Sequence, residues 1–240
     1  MTLSHSSIAE RLATVRERIS RAEIESARAP GSVRLIGISK TKPASTIRDA
    51  VAAGLCDIGE NYLQEALEKQ PQLSDLAICW HFVGKIQSNK TAAIAGAFDW
   101  VHGVDRLKIA RRLNEQRPPE RGPLNCCIEV NLSGERSKGG VEPGELLELA
   151  SAMREMDNIR LRGLMGLPAP SVDPADQRIP FSRLASALLD LQAHFPEMDT
   201  LSMGMTDDLE VAIAEGATMV RIGTAIFGSR TSGPQSQESQ

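Results

Sequence analysis

Several absences narrow this chain before any motif is considered. Its four cysteines, Cys56, Cys79, Cys126 and Cys127, form no CxxC pair and no metal-ligand spacing. Neither a disulfide framework nor a metal site is expected, and reduced thiols in a cytosolic protein are. There is no basic excess: 27 Lys and Arg stand against 31 Asp and Glu, a net charge of −4. That excludes the electropositive footprint of a nucleic-acid binder. No apolar run approaches the roughly 18 residues of a membrane span. The stretch Met1 to Ser7 is polar and lacks the basic-then-apolar plan of a signal peptide. No G-x-G-x-x-G follows any strand-like segment, which argues against a dinucleotide fold.

What is present is a regular alternation. Ser7 with Glu10 makes a capping box, and Ile8, Leu12, Val15 and Ile19 follow at helical spacing. This opening helix is expected to end near Ala29-Pro30-Gly31. Val33 to Lys40 reads as a first strand, and Pro43 opens a helix that Gly54 closes. The rhythm then predicts strands at 57–59, 80–84, 100–104, 124–132, 159–166, 200–203 and 218–222. Helices are expected at 61–69, 88–97, 105–116, 143–156, 181–194 and 207–215. Such repeated strand–helix units imply parallel strands with right-handed crossovers. The expected fold is α/β, a single (β/α)8 TIM barrel over residues 1–230 with an extra N-terminal helix. A disordered polar tail is expected over 231–240.

In such a barrel, function belongs at the C-terminal ends of the strands. That rule selects Ser39 and Lys40, Glu60 and Asn61, the segment from His81 to Asn89, and Glu129 to Lys138. It also selects Met165, Ser202 to Thr206, Arg221, Gly223 and Thr224. Lys40 shares strand parity with Ile36 and Ile38, and a lysine in a partly desolvated mouth is the kind of amine that attacks an aldehyde. Lys42 and Lys138 offer the same chemistry, and a plain solvated charge is the simpler reading. The loops at Ser202 to Thr206 and at Gly223-Thr224 provide glycines for close approach and hydroxyls, the parts of a barrel phosphate site. Arg221 interrupts an apolar strand, where a charge needs a partner. A salt bridge or a cofactor ring nitrogen would each supply one. Together these residues describe a phosphorylated aldehyde cofactor held at both ends, with some other phosphorylated metabolite, and Lys40 as a plain charge, as an alternative.

The same stretches resemble a known family. Ser39-Lys40-Thr41-Lys42-Pro43, Gly59-Glu60-Asn61-Tyr62, His81-Phe82-Val83-Gly84, Ser202-Met203-Gly204-Met205 and Arg221-Ile222-Gly223-Thr224 are similar to those of the pyridoxal phosphate homeostasis proteins of the YggS/PROSC type. The similarity runs from about Ile8 to Arg230. It implies a barrel like the N-terminal domain of alanine racemase, with Lys40 carrying the cofactor. Ser202, Gly223 and Thr224 would hold the phosphate, Arg221 would face the ring nitrogen, and Asn61 and Met203 would line the site. It further implies upkeep of intracellular pyridoxal phosphate and its supply to apoenzymes, without catalytic activity. Alanine racemase adds a β-rich domain with a catalytic tyrosine, whereas this chain stops after the barrel and holds one tyrosine, Tyr62. An amino-acid racemase is the alternative, with His81, Lys138 or Tyr62 as the base opposite Lys40. The protein is expected to be a cytoplasmic monomer with no nucleic-acid or membrane partner.

Overall fold

The computed structural model describes residues 6–132 and 139–228. Ser133, Lys138 and the tail over 231–240 therefore lie outside the described residues. Eight parallel strands close into a barrel in sequence order. They are β1 (Arg34–Ile38), β2 (Asp57–Glu60), β3 (Cys79–Phe82), β4 (Trp100–Val104), β5 (Leu124–Val130), β6 (Ile159–Gly166), β7 (Thr200–Ser202) and β8 (Met219–Ile222). The ring closes where β1 pairs with β8, Arg34 opposite Met219 and Ile36 opposite Arg221. Helices α2 (Ala44–Ala52), α3 (Leu63–Lys69), α4 (Thr91–Ala97), α5 (Leu107–Gln116), α6 (Leu146–Arg154), α7 (Pro174–Gln192), α8 (Leu209–Ala214) and α9 (Thr224–Phe227) follow the strands in turn. The expected barrel is thus present, preceded by α1 (Ile8–Glu25) as the extra helix.

Strand alternation sorts side chains into two cores. Between strands and helices lies a large apolar shell that includes Ile58, Phe82, Val101, Ile128, Leu164 and Val220. Inside the barrel lies a smaller cluster of Ile36, Trp100, Cys127, Met165 and Met219, with Ile38 and Cys79 against it. The remaining inward positions are polar or glycine, which leaves the upper interior of the barrel hydrophilic. That division locates the site.

Helix α1 does more than cover apolar surface. Its capping box forms, with Glu10 N–H 3.2 Å from Ser7 Oγ and Ser7 N–H 2.7 Å from Glu10 Oε2. Its inner face buries Leu12, Val15 and Ile19, each such side chain contributing about 1.5–3 kcal/mol. Its arginines reach the turns after β7 and β8. Arg11 donates to Ile226 O at 2.7 Å, and Arg18 donates to Thr206 O at 2.8 Å while pairing with Glu210 at 2.7 Å. The loops at one side of the barrel mouth are therefore tied to a preceding helix.

The main departure from expectation is α7, which begins at Pro174 rather than near Phe181. Pro168, Pro170 and Pro174 read as a loop. Pro174 instead occupies the first helical turn, where its missing N–H costs nothing, and the Asp173 carboxylate caps Ala175 N–H at 2.8 Å. Most other helices start two or three residues later than their polar leaders implied, as at Thr91 and Leu107. Among the described residues, no helix is long and apolar enough to cross a membrane.

Candidate functional site

The turn after β1 is pinned from three directions. Ser39 N–H continues the strand pairing to Gly59 O at 3.0 Å, and its hydroxyl donates to Glu60 Oε1 at 2.6 Å. Thr41 adopts a left-handed φ of 63°, which costs an L-residue with a Cβ about 1–2 kcal/mol. That conformation is held by the Glu65 carboxylate, which accepts from Thr41 N–H at 2.7 Å. Lys69 joins the parts, its ammonium donating to Ser39 O at 3.0 Å, Glu60 Oε1 at 2.7 Å and Glu65 Oε2 at 3.1 Å. Burial pushes the Glu60 carboxyl up, and its bonds to Lys69 and Ser39 offset this in part. Lys40 is thus fixed at its backbone between two constrained neighbours. Its own half-buried side chain has no hydrogen bond or ion pair with any described residue.

Asn61 directly follows β2 on the same rim. Its carbonyl oxygen would lie only 2.1 Å from a Cβ at Gly84, so the turn after β3 needs glycine to pass it. The side-chain Oδ1 of Asn61 is buried and finds no hydrogen-bond partner. An orphaned buried acceptor is costly and calls for a donor from elsewhere.

On the neighbouring strand β8, where Ile36 of β1 is its partner, Arg221 has 5% of its surface exposed. Its Nη1 donates to Ser202 Oγ at 2.7 Å and its Nη2 to Gly166 O at 2.9 Å. A guanidinium offers five donors, and no described carboxylate forms an ion pair with this one. Burial pulls its pKa down to about 10, so it keeps its charge at neutral pH. Ser202 Oγ also bonds His102 Nδ1 at 2.8 Å, His102 Nε2 bonds His81 Nδ1 at 3.0 Å, and His81 Nε2 bonds Asp57 Oδ1 at 2.9 Å.

Beside Arg221, β8 is followed by Gly223 and the exposed Thr224, whose N–H opens α9 without a backbone acceptor. A Cβ at Gly223 would lie 3.4 Å from Ile38 O, which places this turn next to the end of β1 and two residues from Lys40. Gly204, at φ 92°, brings the β7 turn against Ala212.

The structure brings Lys40, Asn61, Arg221, Gly223 and Thr224 to one mouth. It places the other two expected residues differently. Ser202 is wholly buried below the rim with its hydroxyl engaged by Arg221 and His102, so it supports Arg221 rather than opening to the mouth. Met203 points the opposite way along β7 into the outer core, and only its main chain faces the loop. His81, expected near the rim, is fully buried inside the barrel. Asp57, His102 and Lys69 went unrecognised in the sequence. Strand parity was the available signal for His102, which alternates with Trp100, and the i,i+4 spacing from Glu65 was the signal for Lys69. A cavity of about 560 Å³ lined by Asn131, Leu132, Glu142, Arg183 and Asp190 opens beside α7, and none of the mouth residues lines it.

Comparisons with known proteins show the same barrel. The family model for the alanine racemase N-terminal domain matches residues 11–231. The pyridoxal phosphate homeostasis protein of Pseudomonas aeruginosa is 58% identical over 228 residues, spanning 95% of this chain and 98% of its own length. That of Escherichia coli K12 is 50% identical over 226 residues, with 93% and 97% covered. Among solved structures, PipY of Synechococcus elongatus, determined with pyridoxal phosphate (PLP) bound, is 37% identical with a TM-score of 0.82, covering 92% of this chain and all of PipY. Alanine racemase from Corynebacterium glutamicum shares the fold at 17% identity and a TM-score of 0.69, with 94% of this chain and 63% of the racemase covered.

Proposed function

The chain belongs to the alanine racemase N-terminal domain family and, within it, to the pyridoxal phosphate homeostasis proteins, and from that premise we propose that it holds pyridoxal 5′-phosphate on Lys40 as a Schiff base. The observation that carries the reading is Arg221, a buried guanidinium without a carboxylate partner that shares one mouth with an unpaired lysine. The residues fit the group. Arg221 has donors left for a ring nitrogen, the buried Asn61 Oδ1 lacks a donor, and the Thr224 N–H and hydroxyl beside Gly223 suit a phosphate. When bound, the cofactor supplies an electrophilic aldehyde and an electron-withdrawing ring. Ser202 and Met203 contribute by supporting Arg221 and shaping the β7 turn. The role is upkeep of free pyridoxal phosphate and its supply to apoenzymes, by a monomer in the cytoplasm. The four free cysteines suit a reducing compartment.

Phosphate dependence tests the reading. Pyridoxal phosphate is expected to bind saturably, one per chain, and pyridoxal without its phosphate at least tenfold more weakly, about 1.4 kcal/mol or more. Thr224→Ala is expected to weaken pyridoxal phosphate by about 1.5–3 kcal/mol through a lost hydrogen bond to a charged group. Equal affinities for the two vitamers would overturn the assignment.

The chain is proposed to hold the cofactor without turning over amino acids. A charged Arg221 keeps a ring nitrogen unprotonated and so weakens it as an electron sink. Of the bases that could oppose Lys40, His81 is locked between Asp57 and His102, and Tyr62 is 52% exposed at the start of α3. Exchange of the alanine α-proton into heavy water, followed by NMR, is expected far below about 1 per second. Exchange at or above that rate identifies a racemase instead.

A further inference from the structure

Below the mouth, five side chains form one unbroken hydrogen-bonded line through the barrel: Asp57, His81, His102, Ser202 and Arg221. The links measure 2.9, 3.0, 2.8 and 2.7 Å. The line begins at the first residue of β2, at the N-terminal end of the barrel, and ends under the C-terminal rim. Both imidazoles are wholly buried, and Trp100 stacks on His81 at 5.8 Å with ring planes 14° apart.

With both imidazoles neutral, only one order of protons runs along it. A carboxylate can only accept, so His81 Nε2 carries a proton and donates to Asp57. A neutral imidazole has one N–H, so His81 Nδ1 accepts, and His102 Nε2 must donate to it. His102 Nδ1 then accepts from the Ser202 hydroxyl, which leaves Ser202 Oγ free to accept from Arg221. At the other end a guanidinium can only donate, which fits a Ser202 oxygen that accepts from it. Every link points from Arg221 toward Asp57, so the bonds polarise one another in one direction.

Charge supports this order. Burial pushes the Asp57 carboxyl up, but the bond to His81 and the nearby Arg34 outweigh it and hold the group below its ordinary value. Burial likewise pushes both imidazoles down, so they are neutral. The charged groups around them are Asp57, Asp99 and Arg34 at His81, and Arg34 and Arg221 at His102. Cys79, also near Asp57, is pushed up to about 12 by burial and stays a thiol.

We propose that His81, His102 and Ser202 are positioning residues, a one-way relay that links Asp57 to the otherwise uncompensated Arg221 and fixes the edge of the guanidinium presented to the mouth. Its consequence for a bound ring rests on the function proposed above, while the relay itself does not.

The test has two arms. In cofactor-free protein with 15N-labelled histidine, NMR at pH 7 is expected to find His81 and His102 neutral, with both protons on Nε2. A protonated ring, or a proton on Nδ1 of either, overturns the relay. In the second arm, His102→Leu breaks the line, whereas His102→Gln offers a donor and an acceptor in similar places. With pyridoxal phosphate as the probe, His102→Leu is expected to raise Kd about tenfold or more and to shift the pH midpoint of the bound absorbance. His102→Gln is expected to restore most of both. If both variants merely lose thermal stability while Kd and spectrum stay as in the parent, the positioning role is wrong. Should His102→Leu not fold, Ser202→Ala serves in its place. If the parent protein binds no pyridoxal phosphate, the proposed function fails, and the tautomer measurement still decides the relay.

Discussion

Lys40→Ala is expected to remove the covalent attachment of pyridoxal phosphate altogether while leaving the barrel folded. The lysine is half-buried and bonds no described residue, so truncating it leaves no polar group stranded. Stability is expected to change by less than about 0.5–1 kcal/mol, the range of substitutions that touch no core or network. The proposed phosphate and ring contacts at Thr224 and Arg221 would persist, so weak reversible binding is expected to remain. Affinity is expected to fall at least tenfold, about 1.4 kcal/mol or more. Parallel titrations of the two proteins, with thermal melts as the control for folding, measure both quantities. Undiminished affinity in the variant would mean that Lys40 is a bystander.

Lys69→Met attacks the support of that lysine and should have the largest effect on stability. Glu60 has no exposed side-chain surface and Lys69 only 9%, with Nζ and Oε1 2.7 Å apart. Breaking a buried pair by removing one member costs about 3–5 kcal/mol, because the partner charge is left uncompensated. For a domain of this size that lowers Tm by roughly 6–20 °C at neutral pH. The pH dependence follows from the orphaned carboxyl. Burial already pushes Glu60 above its ordinary 4.5, and removing Lys69 pushes it further. A carboxyl raised in the folded state contributes stability that is full below its unfolded pKa and is lost as pH rises through the folded one. The deficit of Lys69→Met should therefore be smallest near pH 4 and grow toward neutrality. Adding Glu60→Gln should recover part of the loss and flatten this dependence. A deficit independent of pH would contradict the role given to the pair.

The barrel was legible because short strand-like runs alternate regularly with helix-like segments, a signal local to the sequence. The opening capping box was equally local. The start of α7 was not, since Pro168, Pro170 and Pro174 carry the composition of a loop until the Asp173 cap is seen to form. Lys40 and Arg221 stood out by parity and by charge in apolar surroundings. Ser202 and Met203 were both read as site residues, and alternation along β7 sends the side chain of one inward and of the other outward. The relay was illegible for a different reason. His102 and Ser202 are 100 residues apart and meet only when the ring closes, and no spacing within one element encodes that contact. Lys69 went unnoticed because its burial against Glu60 depends on how α3 packs on the turn after β1.

The central claim is that Lys40 carries the cofactor, and reductive trapping tests it most directly. The protein is saturated with pyridoxal phosphate, reduced with borohydride and digested, and the modified lysine is located by mass spectrometry with fragmentation to separate Lys40 from Lys42. The account predicts one phosphopyridoxyl group per chain, on Lys40. An adduct on Lys42 or Lys69, or one scattered over exposed lysines, would contradict it.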